Sequence, residues 1–341
     1  MNADSHVVLD VEDLVTQFNT ADGTVHAVNG VSFQLRAGEF LGVVGESGSG
    51  KSVTMMSLLK LIPMPPGEIV GGNAMFDGKD LVATKSDDLQ TVRGGKIGFI
   101  FQDPMTSLNP VLTVGRQLTE ALRRHTDAKK KDAKSRAEEL LEIVGIPDAK
   151  QRLSNYPHEM SGGMRQRVMI AMALACNPQV IIAAEPTTAL DVTIQAQIID
   201  QMRTLQEEFN TAVVWITHDL AVIAGLADRV IVMYGGRVVE EAPVERIYTN
   251  PQHPYTLGLL ASLPRLDQKG QELTSIPGQP PNMLRKPVGC SFSPRCTYAF
   301  EPCFESTPPT TPVGTDHAVA CFWDIDADAP RDVHVAVGGT K

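Results

Sequence analysis

Gly45-Glu46-Ser47-Gly48-Ser49-Gly50-Lys51-Ser52 is the stretch on which the reading of this chain turns. It has the form G-x-x-x-x-G-K-S/T. It stands between Phe40–Val44, a compact apolar run with strand character, and Ser52–Leu61, which has helical composition and is stopped by Pro63 and the pair Pro65–Pro66. That strand–loop–helix context gives the pattern its meaning; without it, the stretch is a glycine-rich turn with an incidental lysine. The glycines let consecutive backbone N–H groups turn toward an anion, and the helix that follows adds the favourable end of its dipole. Gly45, Ser47, Gly48, Ser49 and Gly50 therefore form a candidate phosphate cradle. Lys51 is placed to reach β- and γ-phosphates, and the Ser52 hydroxyl to ligate Mg2+.

Working outward, Val7–Val15 and Val31–Leu35 read as short strands around the turn Asp22–Gly23, and Ile97–Phe101 as another. From Pro104 to Met160 the pattern is helical: Val114–Arg124, then Ala133–Val144 with Leu140, Leu141 and Val144 on one face. This predicts a helical insert over about 104–165. Beyond it, Arg167–Leu174 reads as helix, Val180–Ala183 as strand, Ile194–Glu208 as helix, Ala212–Ile216 as strand, Leu220–Ala227 as helix and Arg229–Met233 as strand, ending at Gly235–Gly236. Alternating strands and helices predict an α/β fold with a largely parallel sheet covered on both faces. After roughly Asn250 the chain turns proline-rich, with Ile276–Pro281, Pro308–Pro309 and Pro312, which predicts a small appendix, 251–341, to a core of 1–250.

The 341 residues are 43% apolar and 5% aromatic, and 30 basic against 40 acidic residues leave a net charge of −10. That balance argues against a general affinity for nucleic acid, whose phosphates recruit positive surface. Met1–Val11 is polar and acidic, unlike a secretory leader, and no run reaches the roughly 18 apolar residues of a membrane span. The chain is expected to be soluble or peripheral; if it works at a membrane, partners supply the spans. Of five cysteines, Cys176 sits alone in an apolar setting, as an inert core thiol does. The others follow as Cys290-x5-Cys296-x6-Cys303-x17-Cys321. Without a leader, metal ligation is the expectation rather than disulfides. Four thiolates suit Zn2+ or an iron–sulfur cluster, and the wide spacing weakens the zinc case.

Ser161-Gly162-Gly163-Met164-Arg165-Gln166-Arg167 separates this chain from other nucleotide-binding proteins. It resembles the signature of the ATP-binding cassette family, and with Met160 and Met164 framing the motif, its oligopeptide/dipeptide importer branch. The resemblance covers nearly the whole chain. It implies a P-loop core with an antiparallel β subdomain, a helical insert and a small cysteine-rich extension. It implies that Phe18 stacks on adenine, that Gln102 touches Mg2+ and the attacking water, and that His218 contacts the γ-phosphate. Glu185 matches the general base, and a carboxylate at the end of an apolar strand fits that task. Ser161, Gly162 and Gly163 would complete the ATP site of an opposing subunit, and Asp191, in Ala189-Leu190-Asp191, would couple the two sites. The implied partners are a homologous ATPase subunit (a heterodimer), two membrane permeases and an extracytoplasmic peptide-binding protein. The implied location is the cytoplasmic face of the membrane. A soluble relative acting in DNA repair or on ribosomes is disfavoured by the short gap from Gln102 to Ser161 and the single cassette.

One residue departs from the family pattern. In Val180-Ile181-Ile182-Ala183-Ala184-Glu185-Pro186, Ala184 stands where the family has an aspartate that holds Mg2+ through its water shell. Two readings stand: a substitution in an otherwise competent ATPase, or a naturally degenerate subunit paired with an active one. The tail motifs Pro251-Gln252-His253-Pro254-Tyr255-Thr256 and Ile276-Pro277-Gly278-Gln279-Pro280 match the peptide-importer branch, and resemble nickel and glutathione importers as well. The same resemblance implies a 4Fe–4S cluster on Cys290, Cys296, Cys303 and Cys321, with zinc as the alternative.

Overall fold

The computed structural model describes residues 6–187, 191–263 and 275–332. Two long strands open it, β1 (Val7–Thr20) and β2 (Gly23–Arg36), each longer than its apolar run because polar residues continue the pairing. Along β2 the core-facing Val31, Phe33 and Leu35 alternate with exposed positions, the period of a half-buried strand. Then come β3 (Phe40–Val44), buried throughout, α1 (Lys51–Leu58), β4 (Gly67–Phe76), β5 (Lys79–Asp80) and β6 (Ile97–Ile100). The insert holds α2 (Pro104–Ser107), α3 (Val114–His125), α4 (Lys130–Ile143) and α5 (Ala149–Arg152). Asp103 and Thr113 accept the N–H groups of Met105 and Arg116 and so start α2 and α3.

Next are α6 (Gly162–Leu174), β7 (Val180–Ala184), α7 (Val192–Phe209), β8 (Ala212–Thr217), α8 (Leu220–Ala224), β9 (Arg229–Tyr234) and β10 (Arg237–Pro243). The segment after Asn250 follows α9 (Val244–Thr249). It contributes α10 (Pro254–Ala261), a 3-10 turn at Ser293–Arg295, α11 (Glu301–Glu305), β11 (Thr311–Gly314) and β12 (His317–Val319). No helix among the described residues is long and apolar enough to cross a membrane.

The chain forms two compact units. The first draws on the segment up to Asp10, Gln34–Phe40 and Met75–Ile216. In it β6, β7 and β8 run parallel, with Ile97 opposite Val180 and Val180 opposite Ala212. Their fully apolar sequences fit strands buried on both faces, where each buried Val, Leu or Ile contributes about 1.5–3 kcal/mol. α6 packs on β6 so closely that a Cβ on Gly98 would stand 2.5 Å from the Ala173 carbonyl oxygen, and α3 and α4 pack against α6.

The second unit draws on Val11–Phe33, Leu41–Ala74 and the chain from Thr217 onward. Here β3 runs parallel to β9, β9 is antiparallel to β10, and β10 is antiparallel to β12. β2, β1 and β4 form a separate sheet in that order. The proline-rich segment thus adds strands to a core sheet instead of hanging from it. Glu240 of β10, buried to 1% exposure, fixes that join. Its carboxylate accepts the N–H groups of Gln252 and His253 at 2.6 and 3.0 Å and pairs with His317 Nε2 at 2.8 Å.

Candidate functional site

The phosphate-loop sequence folds, in the second unit, as its composition requires. Gly48 and Gly50 have φ of +80° and +98°, and a Cβ on Gly50 would stand 2.5 Å from the Ala27 carbonyl oxygen. A side chain there is excluded by both backbone and space. Gly50 leads directly into α1, so the first N–H groups of that helix border the loop. Lys51 is buried; its Nζ donates to the carbonyls of Gly45 (2.7 Å) and Glu46 (2.9 Å), arching back over the loop. Ser47 and Gly48 are exposed at its rim, whereas Ser49 is buried and Ser52 half-buried. The Phe18 ring, half-buried on β1, lies against Gly67, where a Cβ would be 3.1 Å from Cε1. His218 is exposed immediately after β8, and its neighbour Asp219 caps α8 through the Ala221 N–H.

In the first unit, the ends of β6 and β7 bring two of the expected catalytic residues together. Gln102 Nε2 donates to Glu185 Oε2 at 3.2 Å. Glu185 has a left-handed backbone, φ +48°, unusual for a residue with a side chain, and its N–H donates to the Ile216 carbonyl. Ala184, one residue earlier, is the last residue of β7 and pairs with Ile216. Ser161 and Asp191 cap adjacent helices: Ser161 Oγ accepts the Met164 N–H of α6, and Asp191 Oδ1 the Ile194 N–H of α7. Those helix starts meet at Gly163, where a Cβ would be 3.1 Å from Ile194 Cγ2. Of the loop Ala189-Leu190-Asp191, only Asp191 is among the described residues.

The four clustered cysteines are free thiols, and all four line one small cavity of ≈ 10 Å3. Burial and the neighbouring thiols push Cys290 up to about 11 and Cys321 up to about 12; burial also raises Cys296. Against that, the Trp323 backbone N–H donates to Cys321 Sγ at 3.4 Å. Two further lining residues carry buried ring nitrogens without a partner among the described residues, His253 Nε2 and Trp323 Nε1. Because His253 Nδ1 accepts the Tyr255 N–H, Nε2 carries the hydrogen. No group of three or more His, Cys, Asp or Glu side chains among the described residues is disposed to hold a metal ion. Four thiols facing one cavity are a donor set of the kind that holds either Zn2+ or an iron–sulfur cluster.

Two functional contacts escaped the sequence. Arg295 pairs with Glu46 of the phosphate loop, and Tyr255 Oη accepts the Glu46 N–H at 2.7 Å. Their signal was present, since Tyr255 stands in the Pro251–Thr256 motif and Arg295 precedes Cys296, but nothing in the sequence tells which residue they reach.

Residues 28–188 match the family model described as ABC transporter, and residues 239–303 match that of the oligopeptide/dipeptide transporter C-terminal region. The chain is 54% identical over 325 residues to the oligopeptide transport ATP-binding protein OppD of Bacillus subtilis, covering 95% of this chain and 90% of that one. It is 50% identical over 322 residues to OppD of Salmonella typhimurium, covering 94% and 95%. Among solved structures it resembles the ATP-binding cassette MJ0796, in a dimeric post-hydrolysis state bound to ADP and Pi. That likeness has a TM-score of 0.62 and 29% identity over 69% of this chain and 98% of that one. It also resembles cbiO1 from Clostridium perfringens, part of the ABC transporter complex cbiONQ, with a TM-score of 0.61 and 27% identity over 72% and 91%.

Proposed function

The chain belongs to the ABC transporter family, in the branch of the oligopeptide transport ATP-binding proteins, and from that premise we propose that it is the ATP-driven motor of a peptide importer. The observation that carries the peptide assignment is the match through residues 239–303, since this C-terminal region distinguishes the branch and the phosphate loop does not. Lys51 and the loop N–H groups hold the phosphates, Phe18 stacks on adenine, and Ser52 ligates the Mg2+ that accompanies ATP. Gln102 and Glu185, already hydrogen-bonded, orient the lytic water, and Glu185 accepts its proton. His218 senses the γ-phosphate.

Ser161–Gly163 and Asp191 serve the ATP of a homologous ATPase docked head to tail, a reading supported by the dimeric state of the MJ0796 cassette. Two permeases and an extracytoplasmic peptide-binding protein complete the machine, which places this chain on the cytoplasmic face of the membrane. We keep the functional division into a nucleotide-binding core, 1–250, and an extension, 251–341.

Ala184 favours a second reading within the same function. A methyl group offers no acceptor to the water shell of Mg2+, so this subunit binds ATP and hydrolyses it slowly, leaving most turnover to its partner. Nickel or glutathione are the alternative cargoes. The deciding experiment reconstitutes the chain with its permeases and binding protein and measures uptake of labelled oligopeptides, Ni2+ and glutathione into proteoliposomes. ATP-dependent peptide uptake is expected; uptake of Ni2+ or glutathione alone would overturn the cargo.

Cys290, Cys296, Cys303 and Cys321 hold a 4Fe–4S cluster whose role is to staple the extension. Four thiolates leave no iron position open, so no substrate chemistry is expected there. The cavity that all four cysteines share supports this reading.

A further inference from the structure

Glu46 is the second residue of the phosphate loop, and it is held at both ends by residues more than two hundred positions away, all within the second unit. Its carboxylate receives a two-pronged hydrogen bond from Arg295, Nη1 to Oε2 at 2.6 Å and Nη2 to Oε1 at 3.1 Å. Its backbone N–H donates to Tyr255 Oη. Its carbonyl is one of the oxygens that holds Lys51 Nζ, and it also accepts the Ser49 N–H.

The Arg295 side chain is 4% exposed and its remaining donors are used: Nε to the Pro277 carbonyl at 2.8 Å, Nη2 to the Ile276 carbonyl at 3.2 Å and Nη1 to Tyr234 Oη at 3.2 Å. The guanidinium also lies near the faces of the Tyr234 and Phe292 rings, 5.8 and 6.0 Å from their centroids. A buried, fully bonded arginine that forks onto a carboxylate has one geometry available to it. It therefore transmits the position of its own backbone to Glu46.

We propose that the C-terminal extension is a working part of the nucleotide site: Arg295 and Tyr255 are positioning residues that fix Glu46 and, through it, the ATP-binding shape of the phosphate loop. This rests on the ATP-binding reading of that loop. Neither residue belongs to the loop itself; both act on it through Glu46. Arg295 fixes the side of the loop from which the Lys51 ammonium hangs, and Tyr255 removes one loop N–H from those that turn toward phosphate. An extension that is displaced leaves Glu46 an unpaired, partly buried carboxylate beside the phosphates, where its charge opposes theirs.

The test titrates a fluorescent ATP analogue into the full chain and records thermal melting of the same samples. Arg295→Met is expected to weaken binding by about tenfold or more, as removal of one partner of a buried charged pair does. Arg295→Lys supplies a point charge without the fork and should fall between Arg295→Met and the unsubstituted chain. Tyr255→Phe removes only an uncharged acceptor and should cost about two- to tenfold. In the Glu46→Ala background, Arg295→Met should add little further loss, because the two side chains act as one unit.

Unchanged affinity in a folded Arg295→Met chain overturns the proposal, as does affinity that falls only in proportion to melting temperature across the series. If Arg295→Met does not fold, Glu46→Gln decides from the loop side: weakened binding by a cooperatively melting chain supports the latch, and unchanged binding overturns it. Failure of the unsubstituted chain to bind ATP overturns the nucleotide reading and this proposal with it.

Discussion

Ala184 is buried at the end of β7, where it pairs with Ile216 of β8 while the ladder to β6 has already ended at Ala183. Its place beside Glu185 is what matters, because the left-handed turn at Glu185 makes the side chain at 184 the last that the strand presents before the chain changes direction. Ala184→Asp is expected to raise Mg2+-dependent ATP hydrolysis by the assembled transporter by about 10–100-fold, the scale on which groups outside a metal's first shell act. Steady-state turnover at saturating Mg2+ checks it, and equal turnover with either residue would show that the subunit is slow for another reason. Single residues were the most legible level in the sequence. Lys51 could be named because a motif fixes both its type and its spacing; Gln102, Glu185 and Asp191 could be named only through the family resemblance. Arg295 could not be named, since an ion pair spanning 249 positions leaves no periodic trace.

Between elements, α6 and α7 meet closely at Gly163 and Ile194. Both helix starts are capped, by Ser161 and Asp191, residues we propose to serve an opposing subunit, so a bulky residue at 163 disturbs this chain's own helices as well as any partner. Gly163→Leu is expected to destabilise the chain by about 1–3 kcal/mol through overpacking, partly offset by about 1 kcal/mol of gained helix propensity. Ile194→Ala in the same chain should recover most of the loss by making room. Urea unfolding of the single and double variants measures this, and a double variant no more stable than Gly163→Leu would place the strain elsewhere. The elements that the sequence hid share a cause. β4 carries Gly71 and Gly72 in mid-strand, and Gly72 takes φ +86° where a Cβ would stand 2.5 Å from the Asp13 carbonyl, so its composition reads as loop. β12 has three residues, too few for any alternation to register, and it becomes a strand only because β10 and Glu240 are there to receive it. The parallel strands were legible because burial on both faces writes itself as an unbroken apolar run.

At the scale of the molecule, the extension is joined to the rest of the second unit through β12, Glu240 and Arg295, and Cys296 directly follows the last of these. Anaerobically purified protein is expected to hold close to four irons and four acid-labile sulfides per chain, the content of a 4Fe–4S cluster. Stoichiometric zinc without sulfide would falsify the cluster. Cys296→Ser, next to Arg295, should loosen the cluster loop and weaken nucleotide binding as well as iron content. An iron-depleted chain that binds ATP with unchanged affinity would separate the two. The sequence presented this region as an appendix because proline and short elements carry little periodic signal, and its contacts with the loop are long-range. Those contacts also set an order of events during synthesis. A chain made from its amino terminus has its phosphate loop out of the ribosome long before Tyr255 and Arg295 exist, so the loop waits, unlatched, for about two hundred and fifty residues, or roughly 10–50 s at bacterial elongation rates of about 5–20 residues per second. On the proposed latch, a nascent or prematurely terminated chain holds ATP more weakly until the segment that marks it as a peptide-transport subunit has been made.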